Sequence, residues 1–405
     1  MASSVRKFAH VLIAALFGVA IALGQQQQQP PNNSGKPVKI DPSYQKLADE
    51  TGGQVYVLDR NNPEQLGAVL ALGTSANRQE LLSVHGAIAG ERAYQAPLGS
   101  GNRHLVVSAT GVTAVQVTAP SGGVIGAAIP GVKYVALGNG GIYAVENPEP
   151  GTWAVVVRGN GSFSLKITAI PNKSTGANES AMESAKPDDI DFYSFEFQEV
   201  AGRPGHQGLF KIPGFPVAGR TYSVEAKMSG EYSTVRFEFR SPRGEVIQKI
   251  QLPKRHGEAD DDRSYEGEVT VPNEPFQVYA TGLDMRGYRY QRTQSTVIRP
   301  QLFTVSAPRY AEWQAGEQNT CTVVVKNFGP ADTLKAMIVD VKNYLSSNQE
   351  VTFDLGTDES KELTLTFDVP HGATSDTLVI TVARVADPDA SNHAVMEPMI
   401  MVRQE

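Results

Sequence analysis

The densest group of possible metal ligands in the sequence is one short acidic run. Its carboxylates are Glu258, Asp260, Asp261 and Asp262. Carboxylate oxygens on a loop are the hard ligands that Ca²⁺ prefers. The run lacks the Asp-x-Asp-x-Asp-Gly spacing of a calcium loop, and its flanking cations Lys254, Arg255 and Arg263 can neutralise it. We therefore predict a solvated hairpin loop here, with a Ca²⁺ site as the alternative.

The sequence contains no recognisable catalytic motif. A nucleophilic serine usually sits in a sharp turn such as Gly-x-Ser-x-Gly, and the sequence contains no such motif. No His-Glu-x-x-His or similar spacing directs two histidines to one metal ion. The seven histidines are scattered at His10, His85, His104, His206, His256, His371 and His393. We predict that the protein is not an enzyme, with no catalytic residue and no bound cofactor.

A stretch that alternates tyrosine with arginine is a candidate binding face. Its members are Tyr288, Tyr290, Arg286, Arg289 and Arg292. Aromatic rings beside cations can hold a sugar or a peptide, but the same alternation is typical of an exposed strand whose long side chains reach into solvent. A carbohydrate-binding role requires that the rings of Tyr288, Tyr290 and Tyr279 are exposed and coplanar.

Cys321 is the one cysteine in the chain, so no internal disulfide can form. It shares a strand face with Val323 and Val325, which predicts a small buried hydrophobe rather than a reactive thiol. The same argument places Trp153 in a core. Export without disulfides favours a bacterial periplasm or cell surface.

The elements that position these residues are strands, and the clearest lie between residues 151 and 168. Apolar side chains alternate with polar or small ones on both sides of Gly159-Asn160-Gly161. Such alternation is typical of half-buried antiparallel strands, and glycine and asparagine adopt the positive φ of a tight turn. The stretch therefore predicts a hairpin. Similar segments recur from residue 80 onwards, so we predict a mainly β fold of tandem antiparallel sandwiches, immunoglobulin-like or jelly-roll-like.

Shifts in composition divide the chain into segments. We predict a signal peptide at 1–24, a flexible Gln- and Pro-rich linker at 25–40, a helix–strand–helix segment at 41–79, sandwich 1 at 80–171, a polar linker at 172–187, sandwich 2 at 188–300 and sandwich 3 at 301–405. A lone strand between two short helices makes no adequate core. Residues 41–73 must therefore pack on the first sandwich or on another chain.

The first 24 residues have the composition of a secretory signal. Arg6 and Lys7 precede the apolar run from Val11 to Ile21, and small residues end at Gly24. A membrane anchor is the alternative, but the run is short for a bilayer span. We predict cleavage, no membrane span afterwards, and a periplasmic, cell-surface or extracellular location. The net charge of −7, without a basic block, argues against nucleic acid as a partner.

Six short motifs follow one another between residues 41 and 300. They are Thr51-Gly52-Gly53-Gln54-Val55-Tyr56, Pro148-Glu149-Pro150-Gly151-Thr152-Trp153, Asp191-Phe192, Pro272-Asn273-Glu274-Pro275-Phe276, Thr281-Gly282-Leu283-Asp284 and Tyr290-Gln291-Arg292. Their order resembles the N-terminal region of hemicentins and related von Willebrand factor A proteins. The resemblance implies that residues 41–79 are the α-β-α tail of an A domain, followed by β-sandwich modules.

Two further points bear on the resemblance. The Asp-x-Ser-x-Ser metal loop of A domains is missing from this chain, so metal-dependent adhesion is not carried over. Residues 301–405 resemble a bacterial Ig-like domain of the kind appended to surface proteins and secreted enzymes.

Together these features predict a secreted, non-catalytic, multidomain β protein. Its expected role is a cell-surface or periplasmic scaffold, or an adhesion or protein-interaction module. The expected partners are other cell-surface or extracellular proteins or glycans. The alternative is the accessory substrate- or carbohydrate-binding part of a secreted hydrolase system.

Overall fold

The chain forms two compact units. The computed structural model describes residues 11–14, 19–22, 40–59, 61–74, 78–171, 190–255, 263–294, 296–344, 350–373, 375–388 and 390–401. The first unit consists of Met1–Gln198, Ser223–Glu268 and Pro275–Ile298. The second consists of Glu199–Tyr222, Val269–Glu274 and Arg299–Glu405. The segment boundaries predicted from composition stay predictions.

The predicted helix, strand and helix between residues 41 and 73 are confirmed as elements. Helix α1 (Pro42–Thr51) is capped by Asp41 and ends at Gly52, whose φ of 66° is the left-handed conformation that glycine adopts readily. Strand β3 (Gln54–Val57) and helix α2 (Pro63–Thr74) follow. Two strands near the N-terminus, β1 (Val11–Ala14) and β2 (Val19–Ala22), pair with each other antiparallel, and β2 pairs with β3 in parallel.

The helix–strand–helix segment packs on the first sandwich, which decides between the two alternatives stated above. Tyr56 and Val69 share a buried cluster with Val106, Leu137 and other residues of the sandwich. The Tyr56 hydroxyl donates to Gln54 Oε1 over 2.7 Å. Polar side chains also cross the contact, because Gln54 and Gln65 donate to backbone carbonyls of the sandwich at 3.0 and 2.7 Å.

The side chain of Asn139 closes one edge of strand β3. Its Oδ1 accepts from Val57 N over 3.1 Å, and its Nδ2 donates to Val55 O over 3.0 Å. The Gly138 amide completes this edge by donating to Val57 O over 2.9 Å. One turn of the sandwich therefore replaces a neighbouring strand.

Replacing Asn139 is expected to loosen the segment. In Asn139→Ala, a buried N–H and a buried C=O of β3 lose their partners, so the free energy of unfolding should fall by about 2 kcal/mol. Urea unfolding measures the loss, and limited proteolysis locates it in residues 41–74. Asn160→Ala is the matched control, because Asn160 is exposed. Equal stability of the two variants would contradict the closing role of Asn139.

The first sandwich consists of seven strands. They are β4 (Gln79–Leu98), β5 (Asn102–Thr110), β6 (Ala114–Thr118), β7 (Val124–Ile125), β8 (Val132–Leu137), β9 (Gly140–Glu146) and β10 (Gly151–Pro171). Their pairing follows the order β7-β6-β10-β5-β9-β8, and β4 also pairs with β10. Trp153 lies fully buried in the core, as predicted, and its Nε1 donates to Glu149 O over 3.0 Å.

The hairpin predicted at Gly159-Asn160-Gly161 is wrong. Gly151–Pro171 is one continuous strand that pairs antiparallel with β4 along nearly its whole length. On its other edge, β10 pairs first with β6 and then with β5. The glycines lie where β10 changes partner, and Gly159 is opposite Gly90. Gly90 and Gly161 have φ values of 94° and 121°, so glycine permits an unusual backbone conformation inside continuous strands here rather than a turn.

The second β block contains eight strands. They are β11 (Asp191–Ala201), β12 (Gly208–Lys211), β13 (Thr221–Ser229), β14 (Tyr232–Arg240), β15 (Val246–Ile250), β16 (Arg263–Thr270), β17 (Gln277–Asp284) and β18 (Arg289–Thr293). They form two four-stranded sheets in the orders β12-β11-β13-β16 and β15-β14-β17-β18. Phenylalanines dominate the core, where the rings of Phe239 and Phe276 stack 4.1 Å apart.

Within the first unit, strands of the second block join the first sandwich through buried polar contacts. The Tyr279 hydroxyl donates to Ser83 O over 3.0 Å and accepts from Ser83 N over 3.3 Å. Gln291 Nε2 donates to Leu81 O over 2.6 Å. Tyr279 also belongs to the hydrophobic core of the first sandwich. These strands and the sandwich therefore share one core instead of being joined by a linker alone.

The C-terminal sandwich contains nine strands. They are β19 (Phe303–Ser306), β20 (Glu312–Gln314), β21 (Gln318–Asn327), β22 (Asp332–Asp340), β23 (Glu350–Leu355), β24 (Ser360–Asp368), β25 (Leu378–Arg384), β26 (Ser391–Met396) and β27 (Met399–Met401). The sheets follow the orders β19-β21-β24, β20-β27 and β23-β22-β25-β26. The predicted mainly β fold of tandem antiparallel sandwiches is therefore confirmed. Trp313 and Phe367 lie 4.5 Å apart in the core.

Candidate interaction surface

The acidic run that was the candidate Ca²⁺ loop lies outside the described residues. It comprises Glu258, Asp260, Asp261 and Asp262, and the description stops at residue 255 and resumes at 263. The flanking cations have local partners. Arg255 pairs with Glu266 over 2.9 Å, and the Arg263 guanidinium lies 4.5 Å from the centre of the Tyr232 ring. The prediction of a solvated loop and its Ca²⁺ alternative both stay open.

The histidines are not brought together in the described part of the chain. His85 is buried on β4, and the half-buried His104 accepts from Arg103 Nε over 3.0 Å. His371, which is distant from both of these histidines in the sequence, lies against Gly316. No group of three or more His, Cys, Asp or Glu side chains among the described residues is placed to hold a metal ion. The absence of an enzymatic function stays a prediction.

Cys321 is buried in the core of the C-terminal sandwich, as predicted. Its Sγ lies 3.3 Å from Met396 Sδ. Burial raises the pKa of the Cys321 thiol, which favours the uncharged and unreactive form. The residue therefore acts as a packing group.

The tyrosine and arginine stretch does not form an aromatic platform. Tyr290 and Tyr279 are buried, and Tyr288 remains 41% exposed. The Tyr290 hydroxyl donates to Thr234 O over 3.0 Å. Arg292 is also buried, and its Nε donates to Ile190 O over 2.7 Å. The alternation of tyrosine and arginine along a strand does not show whether the rest of the chain covers both faces of that strand. Because Tyr290 and Tyr279 are covered here, the carbohydrate-binding alternative loses most of its support.

A small cleft opens on the first sandwich. Its volume is about 240 Å³, and it is lined by Ala114, Val115, Gln116, Val124, Ile125, Tyr143, Val156 and Arg158. The Arg158 guanidinium pairs with Glu91, and the Tyr143 hydroxyl donates to Val115 O over 3.4 Å. Because these polar groups are engaged within the protein and the volume is below that of ordinary ligand pockets, the cleft is a poor candidate for a small-molecule site.

The strongest candidate is an apolar ladder on the outer face of the sheet β23-β22-β25-β26. Val339, Val379 and Val395 are directly opposite one another across three strands. Val339 is 49% exposed and Val395 is 42% exposed, with Met337 on the same strand 44% exposed. The core face of β22 is filled instead by residues such as Ile338. The ladder therefore adds apolar surface that the sandwich core does not need.

Polar groups border this apolar ladder. Lys335 Nζ pairs with Glu350 Oε2 over 2.7 Å, next to Met337 on the same sheet. An exposed apolar patch rimmed by polar residues is typical of a protein–protein interface. The sequence carried a signal for this surface that the strand assignment overlooked. Residues 336–339 are all apolar, where a half-buried strand should alternate.

The C-terminal sandwich is also the part of the chain that a family model recognises. Residues 303–402 match the VWA7 Ig-like domain. This range contains every strand from β19 to β27. The predicted Ig-like fold of the C-terminal sandwich is therefore confirmed.

The chain is also similar to a curated animal protein. Hemicentin-1 from Mus musculus is 24% identical over 261 residues, which cover 62% of this chain and 4% of hemicentin-1. The chain thus spans a very small part of that relative's length. The predicted hemicentin resemblance is confirmed at this level. The assignment of residues 41–79 to the tail of an A domain stays a prediction.

Solved structures give only distant likenesses. The PapD-like domain 7 of human CEP192 is 10% identical, with a TM-score of 0.21, covering 26% of this chain and 87% of that domain. Red sea bream transglutaminase is 10% identical, with a TM-score of 0.29, covering 53% of this chain and 31% of the enzyme. Such low TM-scores carry no argument about function. No helix among the described residues combines the length and hydrophobicity required to cross a bilayer.

Proposed function

We propose that this chain is a secreted, non-catalytic, multidomain β protein that acts as a protein-interaction module of a cell-surface, periplasmic or extracellular scaffold. The Ig-like match in residues 303–402 and the hemicentin likeness support this role. The observation that carries it is the outward apolar ladder, in which Val339 and Val395 are exposed and Val379 between them is half-buried. Its partner is another extracellular protein with an apolar surface.

The ladder is suited to protein contact for a physical reason. Apolar area removed from water contributes roughly 25 cal/mol per Å², and outward valines on a sheet are already held in place by strand pairing. Their side chains lose little conformational freedom when a partner covers them. A flat apolar strip with charged neighbours such as Lys335 and Glu350 therefore offers both binding energy and orientation.

A charge in the middle of the ladder is expected to abolish binding. In Val339→Asp, a partner must bury an unpaired carboxylate, so affinity should fall by about tenfold or more. The test is an array of extracellular ectodomains and glycans from the source organism, probed with the exported protein. The control is Thr322→Asp, which adds the same charge at an exposed position on strand β21 of the other sheet, β19-β21-β24.

The outcomes of this array separate the two proposed roles. Binding to an ectodomain that Val339→Asp weakens and Thr322→Asp preserves supports the interaction module. Binding to glycans that neither variant changes would favour the accessory carbohydrate-binding role, for which exposed Tyr288 is the remaining support. Equal loss in both variants would contradict the assignment of the ladder as the interface.

A further inference from the structure

Strand β3 has two edges that are closed in different ways. Val55 O, Val57 N and Val57 O bond to Asn139 and Gly138 of the first sandwich. Successive residues of a strand direct their backbone groups to opposite edges. The N–H and C=O groups of Gln54 and Tyr56 therefore face the other edge, where β2 pairs with β3 in parallel.

The segment on this second edge belongs to the stretch that is predicted to be removed. Val19–Ala22 lies within residues 1–24, the predicted signal peptide. Once these residues are cleaved, the second edge of β3 has no strand from the N-terminal segment to pair with. Gln54 and Tyr56 have buried side chains. Buried backbone groups of such residues need hydrogen-bond partners, and an unpaired edge readily accepts a strand.

We propose that, in the chain without residues 1–24, this edge of β3 binds a parallel, uncharged and continuously apolar β-strand of a second protein. The sequence Val19-Ala20-Ile21-Ala22 is the example that defines the occupant. Parallel strands are covered on both faces, so they consist of unbroken apolar runs of this kind. Strand addition of this type is a common mode of peptide recognition.

The flanking helices provide further apolar surface for such a partner. Leu47 on α1 and Leu66 and Leu70 on α2 are exposed, although the segment is docked on the sandwich through Tyr56 and Val69. The segment therefore uses one set of apolar residues to attach to its own chain and leaves another set uncovered. This site is separate from the valine ladder of the C-terminal sandwich.

The inference rests on the proposed export, and the experiment separates the two. Mass spectrometry of the exported protein first establishes whether residues 19–22 have been removed. Retention of these residues would overturn the inference, because the edge would stay paired within the chain. The interaction role of the C-terminal sandwich would be unaffected by that result.

The binding test uses hydrogen exchange on the exported protein. The probe is a synthetic peptide of residues 17–24 with lysines added at its end for solubility. We expect saturating probe to slow exchange of the Gln54 and Tyr56 amides by about tenfold or more. The Val57 amide, which bonds to Asn139 Oδ1, is the internal control and should not change.

A second peptide removes the hydrogen bonds while keeping the apolar character. In this control peptide Ala20→Pro deletes the backbone donor that faces Gln54 O in the parallel register and breaks the extended pairing. Protection by the first peptide alone supports strand addition at β3. Equal protection by both peptides, or protection by neither, would overturn the proposal.

Discussion

Raising the pH above 10 is expected to unfold the first unit cooperatively. Burial raises the pKa of Tyr56 and the pKa of Tyr279 to about 12. It also raises the pKa of Tyr232 and of Tyr290, with neighbouring tyrosines adding to the shift. An exposed tyrosine has a pKa near 10. The folded chain therefore binds these phenolic protons more tightly than the unfolded chain does.

The sign and size of the effect follow from linkage. The stabilisation from each raised pKa is complete below pH 10 and is lost as the pH rises through the folded value. A pKa difference of one corresponds to about 1.4 kcal/mol, so Tyr56 and Tyr279 together account for roughly 5 kcal/mol. That loss is comparable to the whole stability of many domains. Tyrosinate absorbance and far-ultraviolet circular dichroism, recorded together, measure it.

Three phenylalanine variants test the assignment. Tyr279→Phe and Tyr56→Phe each remove one buried hydroxyl group that releases its proton on unfolding at high pH. The unfolding transition, plotted against pH, should therefore be less steep in each variant. Tyr193→Phe is the control, because Tyr193 is exposed. If all tyrosines ionise gradually near pH 10 while the circular dichroism stays native, the buried hydroxyls do not hold their protons as described.

Local sequence chemistry predicted the elements where one residue type decides the outcome. The helix–strand–helix order in residues 41–79 was predicted, and Gly52 ends helix α1 in the left-handed conformation that a glycine after a helix commonly adopts. Cys321 and Trp153 were placed in cores by their strand neighbours alone, and both are buried. In these cases the determining interaction lies within a few residues of the chain.

Predictions failed where the partner of a residue is distant in sequence. The glycines at 159 and 161 permit either a turn or a continuous strand, and pairing of β10 with β4 selects the continuous strand. Tyr290 and Tyr279 occur in an alternating pattern that is equally compatible with an exposed face. Their burial depends on contacts with Thr234 and Ser83, which no local periodicity specifies.

The candidate interface was missed for a related reason. An apolar run such as residues 336–339 is compatible with a strand covered on both faces, and that interpretation requires no interface. The structure leaves the outer face of β22 open, with Met337 and Val339 exposed. The distinction between a buried run and a binding ladder therefore depends on which layers the rest of the chain supplies.

A pair of carboxyl groups in the C-terminal sandwich, of which Asp376 is buried and Asp340 is half-buried, gives the other large expected effect. Asp376 is 5% exposed, and its Oδ1 accepts from the Lys342 amide over 3.1 Å. The same amide donates to Asp340 Oδ1 over 3.1 Å, so the two carboxyl groups converge on one N–H. Burial first, and then the hydrogen bond to the Asp340 side chain and its charge, raise the pKa of Asp376 to about 6.

Stability should therefore fall as the pH rises from about 4 to about 6. An unfolded aspartate has a pKa near 3.9, so the folded chain binds this proton more tightly and loses that advantage through the folded pKa. Asp376→Asn removes the charge and keeps an oxygen that accepts from the amides of Lys342 and Thr377. We expect it to raise the free energy of unfolding at neutral pH by about 2 kcal/mol, because solvent screens part of the repulsion between the two carboxyl groups.

Urea unfolding over a series of pH values measures this difference. The variant and the parent should be equally stable below pH 4, where Asp376 is protonated in both states, and should diverge above it. Asp387→Asn is the control, because Asp387 is exposed. Two results would contradict the shared proton between Asp376 and Asp340. One is a parent protein whose stability does not fall across this interval, and the other is a variant that is less stable than the parent at neutral pH. A bound cation is the chemical alternative, since it would stabilise the two carboxylates in their charged form.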